Sequence, residues 1–366
     1  MNSNSKRIFG LDIMRTTAIL MVLVAHTLWI FSNTNQNISL LFNLLGFWGV
    51  EIFFVLSGFL IGKILINLFC AEEISFNTVR HFLKRRWFRT LPNYYIILIL
   101  NIALAFFLEQ NFKNTWEYFF FLQNFAKTLP AFFPESWSLS VEEWAYILLP
   151  LSLLFAMKFF KINKQKTFII TVIILWLMFF LLKVRFNFYN NVLNLSQWNV
   201  SLKAVVIYRI DAILTGVIMA WLYVSCKKWL IKNGYLFASI GVAILIFLLV
   251  GVGYFKLLIE NYPFFWNVLY LPLTSLGFVL FIPFLVNFNS NTNWFTNSIT
   301  TISKISYSIY LLHYSIILQL VKYFFISKNI KEEIINAIIY LIITLFISYY
   351  WYKHIEKPLT ELRDKF

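Results

Sequence analysis

Cysteine is nearly missing from this 366-residue chain, which holds only Cys70 and Cys226. Two thiols so far apart supply neither a disulfide framework nor the ligand spacing of a zinc site, and no metal is expected. Glycine (11) and proline (8) are sparse too, which excludes a collagen-like or low-complexity chain. Charge is scarce at 13% of residues, and the 16 acidic residues are about half as many as the 31 basic ones. A cleavable signal is also missing. The first apolar stretch carries Asp12, Arg15 and His26, and no small-residue cleavage site follows it.

What fills the space is hydrocarbon. Sixty per cent of the residues are hydrophobic, 42 are phenylalanine, and the mean hydropathy is +0.73. A soluble domain must wet its surface, so this composition excludes one. The net charge of +15 would suit nucleic acid, but the basic residues form short clusters between apolar runs instead of one patch. That placement is a topology signal. The expected surroundings are a lipid bilayer, with no nucleic acid.

A helix needs about 20 apolar residues to cross the hydrocarbon. Ten segments qualify, near 10–31, 42–66, 90–108, 137–157, 167–183, 204–225, 235–255, 266–287, 304–325 and 334–352. The fold class expected is therefore all-α, a polytopic transmembrane helix bundle forming a single membrane domain over 1–366. Trp116–Phe125 is too short to cross and is expected to be interfacial or re-entrant. With the N-terminus inside, 20 basic residues fall on the inner face and nine on the outer, with Arg15 and Arg209 within spans. Lys183 and Lys203 count as outer-loop residues in this scheme. The ratio places both termini, and both cysteines, on the cytoplasmic side.

Intramembrane charge is costly, at least ~2.5–3.5 kcal/mol for each group at the bilayer centre, so such residues mark function by default. Nine stand out: Asp12, Arg15, His26, Glu51, Glu142, Glu143, Arg209, Asp211 and His313. Eleven residues separate Arg15 from His26, which on a helix places both on one stripe about 16 Å apart. Asp12 lies one turn before Arg15 and can pair with it. A neutral imidazole in a polar cavity suits general-base work. Arg85-Arg86-Trp87-Phe88-Arg89 puts a cationic cluster at the inner mouth of the third span, either as topogenic signal or as a phosphate site. Glu142 and Glu143 point about 100° apart on a helix and cannot share one role. Arg209-Ile210-Asp211 reads equally well as a self-contained ion pair. His313 reads as a hydrogen-bonded core histidine or a catalytic one. Glu356-Lys357-Pro358 reads as a helix stop. Charge sorts by depth in this reading, arginine inward and His26, Glu51, Glu142 and Glu143 outward.

Several of these residues fall into ordered motifs. They are Gly10-Leu11-Asp12 with Arg15 and His26, Gly49-Val50-Glu51-Ile52-Phe53-Phe54-Val55-Leu56-Ser57-Gly58-Phe59, and Arg86 with Arg89 and Pro92. Trp137-Ser138-Leu139-Ser140-Val141-Glu142-Glu143, Arg209-x-Asp211, Ser308-Ile309-Tyr310-Leu311-Leu312-His313 and Glu356-Lys357-Pro358 follow. In this order, over essentially the whole chain, they resemble the acyltransferase-3 family of bacterial membrane proteins, which O-acylate cell-surface or secreted carbohydrates. Glu51 stands where relatives often carry Asp.

The resemblance implies an acyl-CoA co-substrate, usually acetyl-CoA, taken from the cytoplasm, and a carbohydrate acceptor. It implies a protein of the bacterial cytoplasmic membrane, of the stand-alone branch without the esterase-like domain of some relatives. The resemblance also implies Arg15 and His26 as essential, and Arg86 and Arg89 as coenzyme contacts. The residues themselves add Glu142 and Glu143 in catalysis, Arg15 along the path of the coenzyme, and Glu51, Arg209, Asp211 and His313 as acceptor-side residues. His26 serves as general base or as transient acyl carrier. The competing class is a proton-coupled transporter or a flippase of a sugar-lipid, which also uses intramembrane His, Glu and Arg.

Overall fold

A computed structural model describes residues 7–71, 75–109, 113–160, 163–190, 194–288 and 293–362. Lys6, Lys161, Arg363 and Lys365, four of the basic residues counted toward the inner face, lie outside the described residues. The described chain is helical and contains no strand. Lipid offers the backbone no hydrogen-bond partners, so a spanning chain must satisfy its peptide groups within helices or a closed barrel.

The helices in chain order are α1 (Phe9–His26), α2 (Gln36–Ala71), α3 (Phe76–Phe107), α4 (Ser136–Phe159) and α5 (Lys164–Tyr189). They continue with α6 (Ile210–Ser225), α7 (Gly234–Gly253), α8 (Phe265–Leu285), α9 (Trp294–Leu312) and α10 (Ile330–Trp351). Eight helical stretches among the described residues are long and apolar enough to cross a membrane. The other two, α6 and α9, are set apart by length and by polarity. α6 has 16 residues, and α9 carries a Ser/Thr-rich sequence before continuing through a π-helical stretch, His313–Leu318, into Gln319–Phe324.

Helices α1, α2, α6 and α9 form the centre. The α2–α6 crossing is very close because glycine meets glycine. A Cβ on Gly58 would stand 1.9 Å from the Ile213 carbonyl oxygen, and one on Gly216 would stand 2.1 Å from that of Val55. Any side chain there would push the helices apart.

The short Trp116–Phe125 segment contains one helical turn, Trp116–Phe119, pinned by the Tyr118 hydroxyl donating to the Phe132 carbonyl. Two expectations change. Glu356-Lys357-Pro358 does not stop the last helix. A π-helical turn, Tyr352–Glu356, leads into Lys357–Leu362, so Pro358 falls near the start of a new turn, where its missing N–H costs little. Glu356 is buried and accepts from the Ser308 hydroxyl. Lys183 is not in an outer loop: it lies within α5, fully buried.

A candidate active site between two faces

Five helices wall a cavity of about 120 Å³. α1 supplies Arg15, α2 supplies Phe53, Phe54 and Ser57, and α3 supplies Arg86, Arg89 and Thr90. Ser138 and Glu142 come from α4, and Tyr307 and Tyr310 from α9. Three guanidinium side chains thus reach one small space from two helices. Like charges brought this close need counter-charges, and Asp12 and Glu142 are at hand to supply them. Asp12 Oδ2 accepts from Arg7 Nε at 2.5 Å, while its Oδ1 accepts from the Ser303 hydroxyl at 2.8 Å and lies 3.8 Å from Arg15 Nη1.

Arg86 sits in a denser arrangement. Its guanidinium donates to the Tyr146 hydroxyl, lies 3.7 Å from Glu142 Oε2 and packs 4.3 Å from the centre of the Tyr146 ring. Tyr146 in turn donates to Glu142 at 2.6 Å and shares a 2.5 Å hydrogen bond with Ser57. Arg86 Nε is buried without a hydrogen-bond partner among the described residues. Glu143 turns the other way, accepting from Thr90 at 2.9 Å. The two adjacent carboxylates therefore have separate roles, as their 100° offset requires. The expected sorting by depth does not hold for them. Glu142 and Glu143 lie level with Arg86 and Thr90, because α3 and α4 pass side by side with their charged turns in register.

His26 stands at the far end of α1 and does not line this cavity. Tyr310 links the two places: it lines the cavity, and its ring centre is 5.7 Å from that of His313. His313 Nε2 is 2.9 Å from His26 Nδ1, and His313 Nδ1 is 2.8 Å from the Tyr310 carbonyl oxygen. Donor and acceptor chemistry assigns the tautomers of the neutral pair. A carbonyl only accepts, so His313 Nδ1 carries a proton and its Nε2 is bare. That bare nitrogen accepts from His26 Nδ1–H, which leaves the lone pair of His26 on Nε2. The arrangement depends on the switch to π-helical geometry at His313, a distortion that often accompanies functional sites. The Ser315 N–H and hydroxyl just beyond donate to Glu135, at 3.0 and 2.5 Å. The Tyr314 ring lies tilted against His26, with the ring centres 4.7 Å apart.

Glu51, Arg209 and Asp211 lie elsewhere. Arg209 and Asp211 do not pair with each other, since positions two apart on a helix point to different sides. Arg209 pairs with Glu51, whose other oxygen accepts from Ser275 at 2.5 Å. Asp211 pairs with Lys183. All four charges are buried, and none lines the arginine cavity. Among the described residues no group of His, Cys, Asp and Glu is arranged to hold a metal ion.

Sequence reasoning passed over Tyr146, Ser57, Ser303 and Glu135. Tyr146 had a signal, one turn after Glu142 on the same helix face. Ser57 lay within a quoted motif, whereas Ser303 carried no local sign.

The model of a family described as an acyltransferase domain, acyltransferase family 3, matches residues 8–353. The O-acetyltransferase OatA of Staphylococcus aureus is 26% identical over 378 aligned positions, covering 96% of this chain and 57% of its own length. The peptidoglycan O-acetyltransferase OatA of Listeria monocytogenes is 31% identical over 132 positions, 32% of this chain and 21% of its own. This chain thus spans little more than half the length of the Staphylococcus relative. No solved structure matches it. With the family model covering nearly the whole chain, the chain belongs to the acyltransferase-3 family of membrane acyltransferases.

Proposed function

We propose that this chain transfers an acyl group, usually acetyl in its family, from cytoplasmic acyl-CoA to a hydroxyl of a cell-surface or secreted carbohydrate. The observation that carries the reading is the cavity walled by Arg15, Arg86, Arg89 and Glu142, with the His26–His313 pair beyond Tyr310. Guanidinium groups bind phosphate oxygens through paired donors. A cavity of 120 Å³ takes a thin acyl-pantetheine end and leaves the nucleotide of the coenzyme at the mouth. The names of the relatives make peptidoglycan glycan chains the first acceptor to try.

In this mechanism His26 Nε2 removes the proton of the acceptor hydroxyl as its oxygen attacks the thioester carbonyl. The C–S bond breaks, and the proton passes from His26 to the leaving thiolate, so atoms and charge balance without a metal. His313 holds the His26 tautomer, and Arg15, Arg86 and Arg89 hold the donor. The membrane is the bacterial cytoplasmic membrane, with both termini inside.

The test is purified protein with acetyl-CoA and an acceptor panel, following released thiol and acetylated product together. Wild type should release both in equal amounts. His26→Ala should slow transfer by at least about a hundredfold. Full transfer by that variant would remove His26 from the mechanism. A protein that moves a sugar-lipid across vesicles with no thiol released would be a transporter instead.

A further inference from the structure

A second cavity, about 490 Å³, opens at the His26 end of the bundle between α2, α7, α8 and the segment before α6. Its wall carries four aromatic rings, Phe47, Trp198, Trp266 and Tyr270. They pack on one another, with Trp266 and Tyr270 stacked at 4.4 Å and Phe47 and Tyr270 at 5.6 Å. Amide side chains of Asn43 and Asn199 join them. Six leucines and Val252 make up most of the remaining wall, two lysines, Lys203 and Lys256, also face it, and no acidic residue is among the lining residues.

Lys203 is the informative member. Its ammonium lies 5.9 Å from the Phe47 ring and 5.8 Å from the Trp137 ring, and it makes no ion pair among the described residues. Burial pushes it down to about 8, with the nearby Arg209 charge adding to the effect. The Glu51 carboxylate, already paired with Arg209, pulls the other way. A desolvated cation that makes no ion pair of its own and lies against ring faces is stabilised by an arriving anion. The packed rings are buried and offer mainly their edges, which with the aliphatic side chains make an apolar wall for the C–H faces of sugar rings, and a few amides suit their hydroxyls.

We propose that this chamber binds the acceptor as an anionic saccharide, with a sugar ring on the aromatic wall and a carboxylate or phosphate on Lys203. The proposal rests on the acyl-transfer reading for its purpose, but its binding test does not.

The experiment uses the full chain in detergent and reads tryptophan fluorescence, which Trp198 and Trp266 report from inside the chamber. Three probes are titrated: a uronic-acid oligosaccharide, a phosphorylated oligosaccharide, and a neutral oligosaccharide of the same length. At least one anionic probe should bind about tenfold more tightly than the neutral one. Lys203→Gln should erase that preference while neutral binding persists, and Lys203→Arg should keep it. Thermal unfolding near the wild-type temperature certifies that each variant is folded.

Equal binding of all three probes, or binding of none, would overturn the proposal. So would fluorescence changes produced by phosphatidylglycerol vesicles and not by saccharides, which would make the chamber a lipid site. Coenzyme A binding is measured separately on the same preparation. Its absence would sink the donor reading and leave the saccharide result standing.

Discussion

At the scale of single residues, the histidine pair makes the sharpest claim. His313 lines neither cavity; its effect passes through the hydrogen bond to His26 Nδ1. Losing an orienting partner leaves a base in the wrong tautomer and costs rate more than binding. His313→Phe should therefore lower kcat about a hundredfold while KM for acetyl-CoA stays near wild type. His313→Gln, which can still accept from His26, should restore part of the loss. Equal damage to kcat and KM would mark His313 as a packing residue. Glu135 gives a second residue-level expectation, in stability. It sits just before α4, where burial pushes its carboxyl up to about 7 against the opposing pull of the Ser315 donors. The native state keeps that proton to higher pH than the unfolded chain does. Stability should thus fall as pH rises from about 4.5 toward 7. Glu135→Gln should flatten this part of the profile, measured by thermal unfolding in detergent at pH 5 and pH 8. An unchanged slope would place the titration elsewhere.

Among the helices, the buried pairs show what sequence reading reaches and what it misses. The apolar runs announced the helical segments, because length and hydropathy are local properties. Arg15 and Glu142 were legible as costly intramembrane charges and Arg86 and Arg89 as a cationic cluster at the inner mouth, but their meeting around one cavity was not. Pairing was not legible. Adjacency offered Asp211 as one possible partner for Arg209, yet Arg209 pairs with Glu51 and Asp211 with Lys183. Lys183 looked like a loop residue because it ends an apolar run, and only the packing of α5 on α6 shows its partner. Such a pair is a poor source of net stability, but half of one is worse. Lys183→Met alone should destabilise by about 3–5 kcal/mol, and Lys183→Met with Asp211→Leu should recover most of that. Denaturation of both variants in mixed micelles checks it. A double variant as unstable as the single one would show that the pair fixes the α5–α6 geometry beyond neutralising charge.

For the whole molecule, the simple division of basic inside and acidic outside gives way to a path. Arginines and Glu142 share the middle of the bundle, the histidines lie beyond Tyr310, and the lysine-lined aromatic chamber opens at the His26 end. A donor from one face and an acceptor from the other then require that α1 run from cytoplasm to exterior. The two natural cysteines test that direction. Cys70 ends α2 and Cys226 ends α6, both at the face opposite His26, and Cys226 is exposed beside Lys227 and Lys228. Asn33, exposed in the bend between α1 and α2, marks the other face. In whole cells an impermeant maleimide should label Asn33→Cys in a background with both native cysteines changed to serine. Cys226 should react only in inverted vesicles. The reverse pattern would turn the arginine cavity outward, away from the cytoplasmic coenzyme pool, and the transfer proposed above would lose its donor.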